Sequence, residues 1–176
     1  MILAVDPGNL ESGYCVFNEL DETFTDFGKV GNEKICDIID KYRPICQHFV
    51  LENMANFGGS SPGRDVLDTC IWIGIFSERW GRAKTEFVFR KTVVTHHTNN
   101  PKGGDSDIRR ALIERYGDPT RGKKKQKGNK MQDVVKDVLS ALAIAVYVSD
   151  MLCNRVFAGK SQFQQFLVVK PESTQE

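Results

Sequence analysis

At 176 residues with 40% hydrophobic content, the chain can bury one good core, and two domains would be cramped. Its formal net charge of +1 hides an asymmetry, with 6 basic against 13 acidic residues over 1–80 and 14 basic against 5 acidic over 81–130. The N-terminus has no basic region ahead of a signal-like core and no apolar run reaches membrane-spanning length, so the expectation is a soluble cytoplasmic protein with no membrane partner.

The elements are expected in a β-rich half followed by a helical one. Strands are predicted near 1–6, 13–18 and 23–30, with Asn18 to Glu22 as the hairpin turn between the last two. A helix near 33–42, stopped by Arg43-Pro44, crosses to a strand at 47–52. A Gly-Ser loop follows, then a helix at 64–80, a strand at 86–90, a helix at 105–116 ending at Gly117, and a long helix at 131–151. The last 25 or so residues read as an edge element and a disordered tail, which gives one domain over 1–155 and an extension over 156–176. No internal repeat is visible.

Three apolar elements carry acids to places where a charge is unexpected. Asp6 ends the first apolar run, just before a Pro-Gly turn; a turn-forming Asp is the plain alternative. Glu52 finishes the run His48 to Leu51 where it opens into the loop. Asp133 and Asp137 stand at i and i+4 on the late helix, beside the apolar face of Val134, Val138, Ala141, Leu142 and Ala145, with an exposed acidic first turn as the alternative for Asp133. The small residues near Ser140 and Ala141 allow that helix to pack close to a sheet. Carboxylates from two strands and a helix form an oxygen-only donor set suited to Mg²⁺ or Mn²⁺. Two such ions roughly 4 Å apart support in-line phosphodiester cleavage.

The ordered set of Asp6-Pro-Gly closing a first strand, Glu52 closing a central one, and a late helix with Asp137 followed by Ser140-Ala-Leu-Ala-Ile-Ala resembles the RuvC-type Holliday junction resolvases, especially the phage-encoded branch, over roughly residues 1–150. The resemblance implies a ribonuclease H-like α/β fold, a mixed five-stranded sheet flanked by helices, in a homodimer that nicks branched DNA with two metal ions. Asp6, Glu52 and Asp137 match the family's metal ligands. Cellular members usually carry a second acid three residues after the first on the late helix, where this chain has Ser140. Either three carboxylates suffice with water, or Asp133 supplies the fourth. In the connector before the helix at 105, the family's basic residue is Asp105 here, so either Lys102 takes over phosphate contact or Asp105 touches a metal; the first is favoured.

The remaining features fit a DNA partner. Arg121, Lys123, Lys124, Lys125, Lys127 and Lys130 form a basic run just before the late helix, read either as a solvated loop or as a clamp on the phosphate backbone. Phe57, in the loop after Glu52, sits where resolvases carry an aromatic able to stack on an unpaired base. The helix at 64–80 is apolar nearly all round, so its surplus width needs a second partner; the resemblance implies a two-fold partner copy there, with full burial in a monomer as the alternative. His96 and His97 read as hydrogen-bonded structure more readily than as proton-transfer groups. The five cysteines are scattered and odd in number, four of them within predicted apolar strands or helices, and are expected to be reduced core residues. Two rival readings remain: a nucleotide-dependent ATPase lobe, which needs about twice this length, and a branched-DNA-binding module of the same fold without catalysis. The first is set aside, so no nucleotide cofactor is expected.

Overall fold

The computed structural model describes residues 1–55, 61–117, 131, 134 and 136–158. Five strands, β1 (Ile2–Asp6), β2 (Glu11–Asn18), β3 (Thr23–Gly31), β4 (His48–Asn53) and β5 (Thr85–Phe89), form one sheet in the order β3-β2-β1-β4-β5. β1, β2 and β3 make an antiparallel meander, because short turns join them; β4 and β5 run parallel to β1, because a helical crossover precedes each. The helices are α1 (Asn32–Tyr42), α2 (Arg64–Trp80), α3 (Arg90–Thr98), α4 (Asp105–Tyr116) and α5 (Lys136–Ala158).

The two faces of the sheet bury separate cores, as the two-residue period of a strand requires. Leu3, Val5, Phe49 and Leu51 pack with Ile35 and Ile39 of α1 and Ile73 and Phe76 of α2. Ile2, Ala4, Cys15, Phe17 and Val50 pack instead against α5, whose residues Ala141 to Val146 are fully buried. A mixed five-stranded sheet flanked by helices is thus the observed architecture. Truncating a side chain such as Leu142 there removes packing worth about 2–5 kcal/mol.

Several expectations are corrected. The strand ends after Phe89, and a helix, α3, fills part of the expected connector. Its Thr- and Val-rich sequence has poor helix propensity, so tertiary burial of Val93 and Val94 drives it, and Asn99 closes it in the left-handed region at φ 52°. α5 begins at Lys136 and runs to Ala158, later at both ends than predicted. Asp137 therefore stands in its first turn, while Asp133 lies outside the described residues. α5 also contains an 18-residue stretch, Asp137–Asn154, long and apolar enough by composition to cross a membrane, contrary to the sequence reading; 61% of it is buried here as the core helix. Of the cysteines, Cys15, Cys36 and Cys46 are buried, whereas Cys70 and Cys153 are exposed. Phe57, the basic run from Arg121 to Lys130 and the expected edge element after residue 160 lie outside the described residues.

Candidate functional site

The turn after Asp6 fixes its position. Pro7-Gly8 is tied back by Ser12, whose hydroxyl accepts from the Gly8 amide at 3.2 Å and donates to Asn32 Oδ1 at 2.6 Å, while Asn32 Nδ2 donates to the Gly8 carbonyl at 2.9 Å. A Cβ on Gly8 would lie 2.3 Å from the Glu11 carbonyl oxygen, so only glycine fits this turn. Ser12 and Asn32 are buried, so the strand end is fixed rather than frayed.

Strand register then assembles the rest. Val5 pairs with Leu51, so Asp6 and Glu52 each stand one residue further along adjacent parallel strands. Ala4 and Val50 face α5, and the two-residue period turns Asp6 and Glu52 to that same face. Across the other edge of β1, Asp6 pairs with Gly13 and Gly13 with Lys29. A Cβ at Gly13 would lie 2.3 Å from the Asp137 carbonyl oxygen, so the missing side chain is what lets the first turn of α5 reach the sheet. Lys29 Nζ meets Asp137 Oδ2 at 2.9 Å and Glu11 Oε2 at 3.3 Å.

Arg90, the first residue of α3, closes the group from the β5 side. Its Nη1 donates to Ser140 Oγ at 3.0 Å and stands 3.6 Å from Glu52 Oε2, and its Nη2 pairs with Asp105 at the start of α4. The 3.6 Å separation is an ion-pair contact too long for a hydrogen bond, and Glu52 Oε2 is buried with no donor. Burial pushes the Asp6 carboxyl up to about 6; the Arg90 charge and the Ser140 hydroxyl pull against this, and the Asp137 and Asp105 charges add to it. Burial and the neighbouring Asp6 charge push Glu52 up to about 7, with Arg90 opposing.

The strands and α5 thus bring Asp6, Glu52 and Asp137 to one end of the sheet, and they bring Asp105 there as well. Asp105 is paired with Arg90, and Lys102 lies exposed in the turn before α4. Sequence reasoning missed Gly13, Lys29 and Arg90. For Arg90 the signal was present, an apolar strand ending on a charge, as at Asp6 and Glu52. His96 and His97 belong to structure: His96 Nε2 lies 2.8 Å from Asp150 Oδ2, and His97 Nε2 donates to the Ala143 carbonyl at 2.8 Å, both in contact with α5.

Among the described residues, no group of three or more Asp, Glu, His or Cys side chains has closed into a metal-ligating cluster. Basic side chains lie among the acids instead, Arg90 beside Glu52 and Lys29 on Asp137. The donor set nevertheless fits a hard divalent cation. It consists of carboxylate oxygens, two of the acids are held above their usual range by burial, and one buried oxygen lacks any donor.

No protein-family model matches the sequence, and no curated protein aligns with it significantly. Solved structures do resemble it in fold. Thermus thermophilus RuvC superposes with a TM-score of 0.56 at 11% identity, over 89% of this chain and 96% of that one. The T. thermophilus RuvC structure in complex with Holliday junction substrate gives 0.55 at 12% identity, over 85% of this chain and 95% of that one. At such identities the likeness is one of fold alone: a mixed five-stranded sheet flanked by helices, consistent with a ribonuclease H-like α/β fold and similar to those RuvC structures.

Proposed function

We propose that this chain is a metal-dependent, structure-selective endonuclease that nicks branched DNA, Holliday junctions in particular. The observation that carries this reading is the convergence of Asp6 and Glu52, from adjacent parallel strands, with Asp137, from the helix laid across them through Gly13. Asp6, Glu52 and Asp137 are the residues that would hold Mg²⁺ or Mn²⁺, two ions per site, with Asp133, just before Asp137 in sequence, as a further candidate. Bound there, the ions would supply an activated water and stabilise the leaving oxygen of a phosphodiester.

The chain's own residues prepare that site. The Pro7-Gly8 turn, locked by Ser12 and Asn32, fixes Asp6 so that its carboxylate needs little reordering to bind. Burial of Asp6 and Glu52 keeps water from competing for their oxygens and strengthens their pull on a cation. Lys29 orients Asp137 from the neighbouring strand. Lys102, Phe57 and the basic run Arg121 to Lys130 are assigned to DNA: the lysines and the arginine to backbone phosphates, Phe57 to an unpaired base. The exposed α2 side chains Leu67, Ile71 and Ile75 are assigned to a two-fold contact between copies, placing two nicking centres on one junction.

One observation favours a second reading. Positive charge already stands at the acids, with Arg90 beside Glu52 and Lys29 on Asp137, as it would in a branched-DNA-binding module that has lost catalysis. Incubation of the protein with a synthetic four-way junction and Mg²⁺ or Mn²⁺ separates the two. Symmetric nicks that vanish with chelator support the nuclease. Tight junction binding without nicks overturns it in favour of the binding module.

A further inference from the structure

We infer that Arg90 is a built-in cation that a divalent ion must displace from the acid cluster, so that the chain itself sets the concentration at which metal enters. The inference rests on the metal-dependent reading proposed for the same site. Asp6 and Glu52 lie side by side at the ends of two strands, and Asp105 and Asp137 approach from α4 and α5. So many carboxylates at one sheet end repel one another, and two of them are removed from bulk water. The metal-free protein needs positive charge there, and Arg90 supplies it.

The way Arg90 is seated marks it as displaceable. Toward the acids its hold is weak: Nη1 stays 3.6 Å from Glu52 Oε2, which is left buried without a donor. Its direct contacts are peripheral, the neutral Ser140 hydroxyl at 3.0 Å and the carboxylate of Asp105, whose side chain is 45% exposed. The Arg90 side chain is itself 33% exposed, so a path to solvent is open. A guanidinium that swings outward about Asp105 keeps its stronger partner and vacates the space beside Glu52. A buried structural pair would show the reverse, with close paired hydrogen bonds to the inner acid. Ser140 matters for the same reason. A neutral hydroxyl at that position holds the guanidinium without trapping it, where a carboxylate would bind it as tightly as Asp105 does.

Removing the charge should therefore weaken the metal-free fold and strengthen metal binding. The test is calorimetric titration of Mn²⁺ into the chelator-stripped full chain, with thermal unfolding recorded with and without Mn²⁺, for wild type, Arg90→Gln and Arg90→Lys. Arg90→Gln is expected to lower the metal-free Tm and to bind Mn²⁺ about tenfold more tightly, while Arg90→Lys, which keeps the charge, stays within about threefold of wild type. Mn²⁺ affinity in Arg90→Gln that equals or falls below wild type overturns the inference. Should Arg90→Gln fail to fold, the wild-type protein still decides. Its Arg90 Nε resonance, assigned by the Arg90→Lys spectrum, must shift during a Mg²⁺ titration with the same midpoint as Mg²⁺ binding. Mg²⁺ binding with an unmoved Arg90 signal overturns the inference while leaving the nuclease reading intact. A wild-type chain that binds neither ion overturns both.

Discussion

Gly13 and Asp137 are in backbone contact: any side chain on Gly13 would begin 2.3 Å from the Asp137 carbonyl oxygen. The obstacle is main chain, so it cannot rotate away, and α5 must move. Gly13→Ala is expected to displace the first turn of α5, cost about 1–3 kcal/mol in chemical denaturation, and reduce nicking by at least about tenfold through misplacement of Asp137. Junction affinity should change little. A variant with wild-type nicking would detach Asp137 from the site.

On the proposed nuclease reading, Asp6→Asn, Glu52→Gln and Asp137→Asn should each lower Mg²⁺-dependent nicking by about 10³-fold or more while junction binding stays within a few-fold, because these groups would act on chemistry and not on affinity. In chelated protein, neutralising Asp6 or Glu52 should leave the fold as stable or up to about 2 kcal/mol more stable, since an incompletely compensated buried charge is removed. Full cleavage by any one variant removes that residue from the assignment.

Asp150 lies far along α5 and has a structural job. It accepts from Arg115 Nη1 at 2.9 Å and from His96 Nε2 at 2.8 Å; burial opposes its charge, but these contacts win and hold its carboxyl down to about 2. A carboxyl depressed in the folded state adds stability above its unfolded value, near 3.9, and loses it as pH falls through the folded value. Asp150→Asn should therefore cost about 1–2 kcal/mol at pH 7, a figure reduced from the full shift for partial exposure. The gap from wild type should close between pH 4 and pH 2 in urea melts. A gap that persists unchanged at low pH would mean that packing, not charge, holds this corner.

Neutralising Lys123, Lys124, Lys125 and Lys127 to Gln should weaken binding to branched and linear DNA alike, and flatten the salt dependence by up to about 0.9 in log–log slope for each phosphate no longer neutralised. Affinity measured across a salt series gives the slope directly. An unaltered slope returns the run to a solvated loop.

Ile71 and Ile75 are 60% and 40% exposed on α2, on the opposite side of the helix from buried Ile73 and Phe76. Ile71→Glu with Ile75→Glu should leave the Tm of the folded chain near wild type but shift sedimentation from dimer to monomer. A wild-type chain that already sediments as a monomer refutes the two-fold contact.

Much of the fold was legible in the residues alone. Strands announced themselves through short apolar runs ended by turn residues, and α2 and α4 fell where periodicity and Gly117 placed them. Asp6, Glu52 and Asp137 stood out because charges at the margins of apolar elements need a reason. α3 was not legible, since Thr and Val disfavour helix locally and only the burial of Val93 and Val94 repays it.

The sequence by itself determined the strands, the helices other than α3, and which acids sit at their ends, because those features depend on neighbours along the chain. Only the tertiary structure decided what meets at the site. Gly13 carries no local signal of its role; it matters because β2 lies under α5. Arg90 and Ser140 are 50 residues apart and Arg90 and Asp105 are 15 apart, yet one guanidinium joins them, because parallel pairing of β4 with β5 and the packing of α5 bring their ends together. Charge balance at a site is set by distance through space, and no pattern along the chain encodes it.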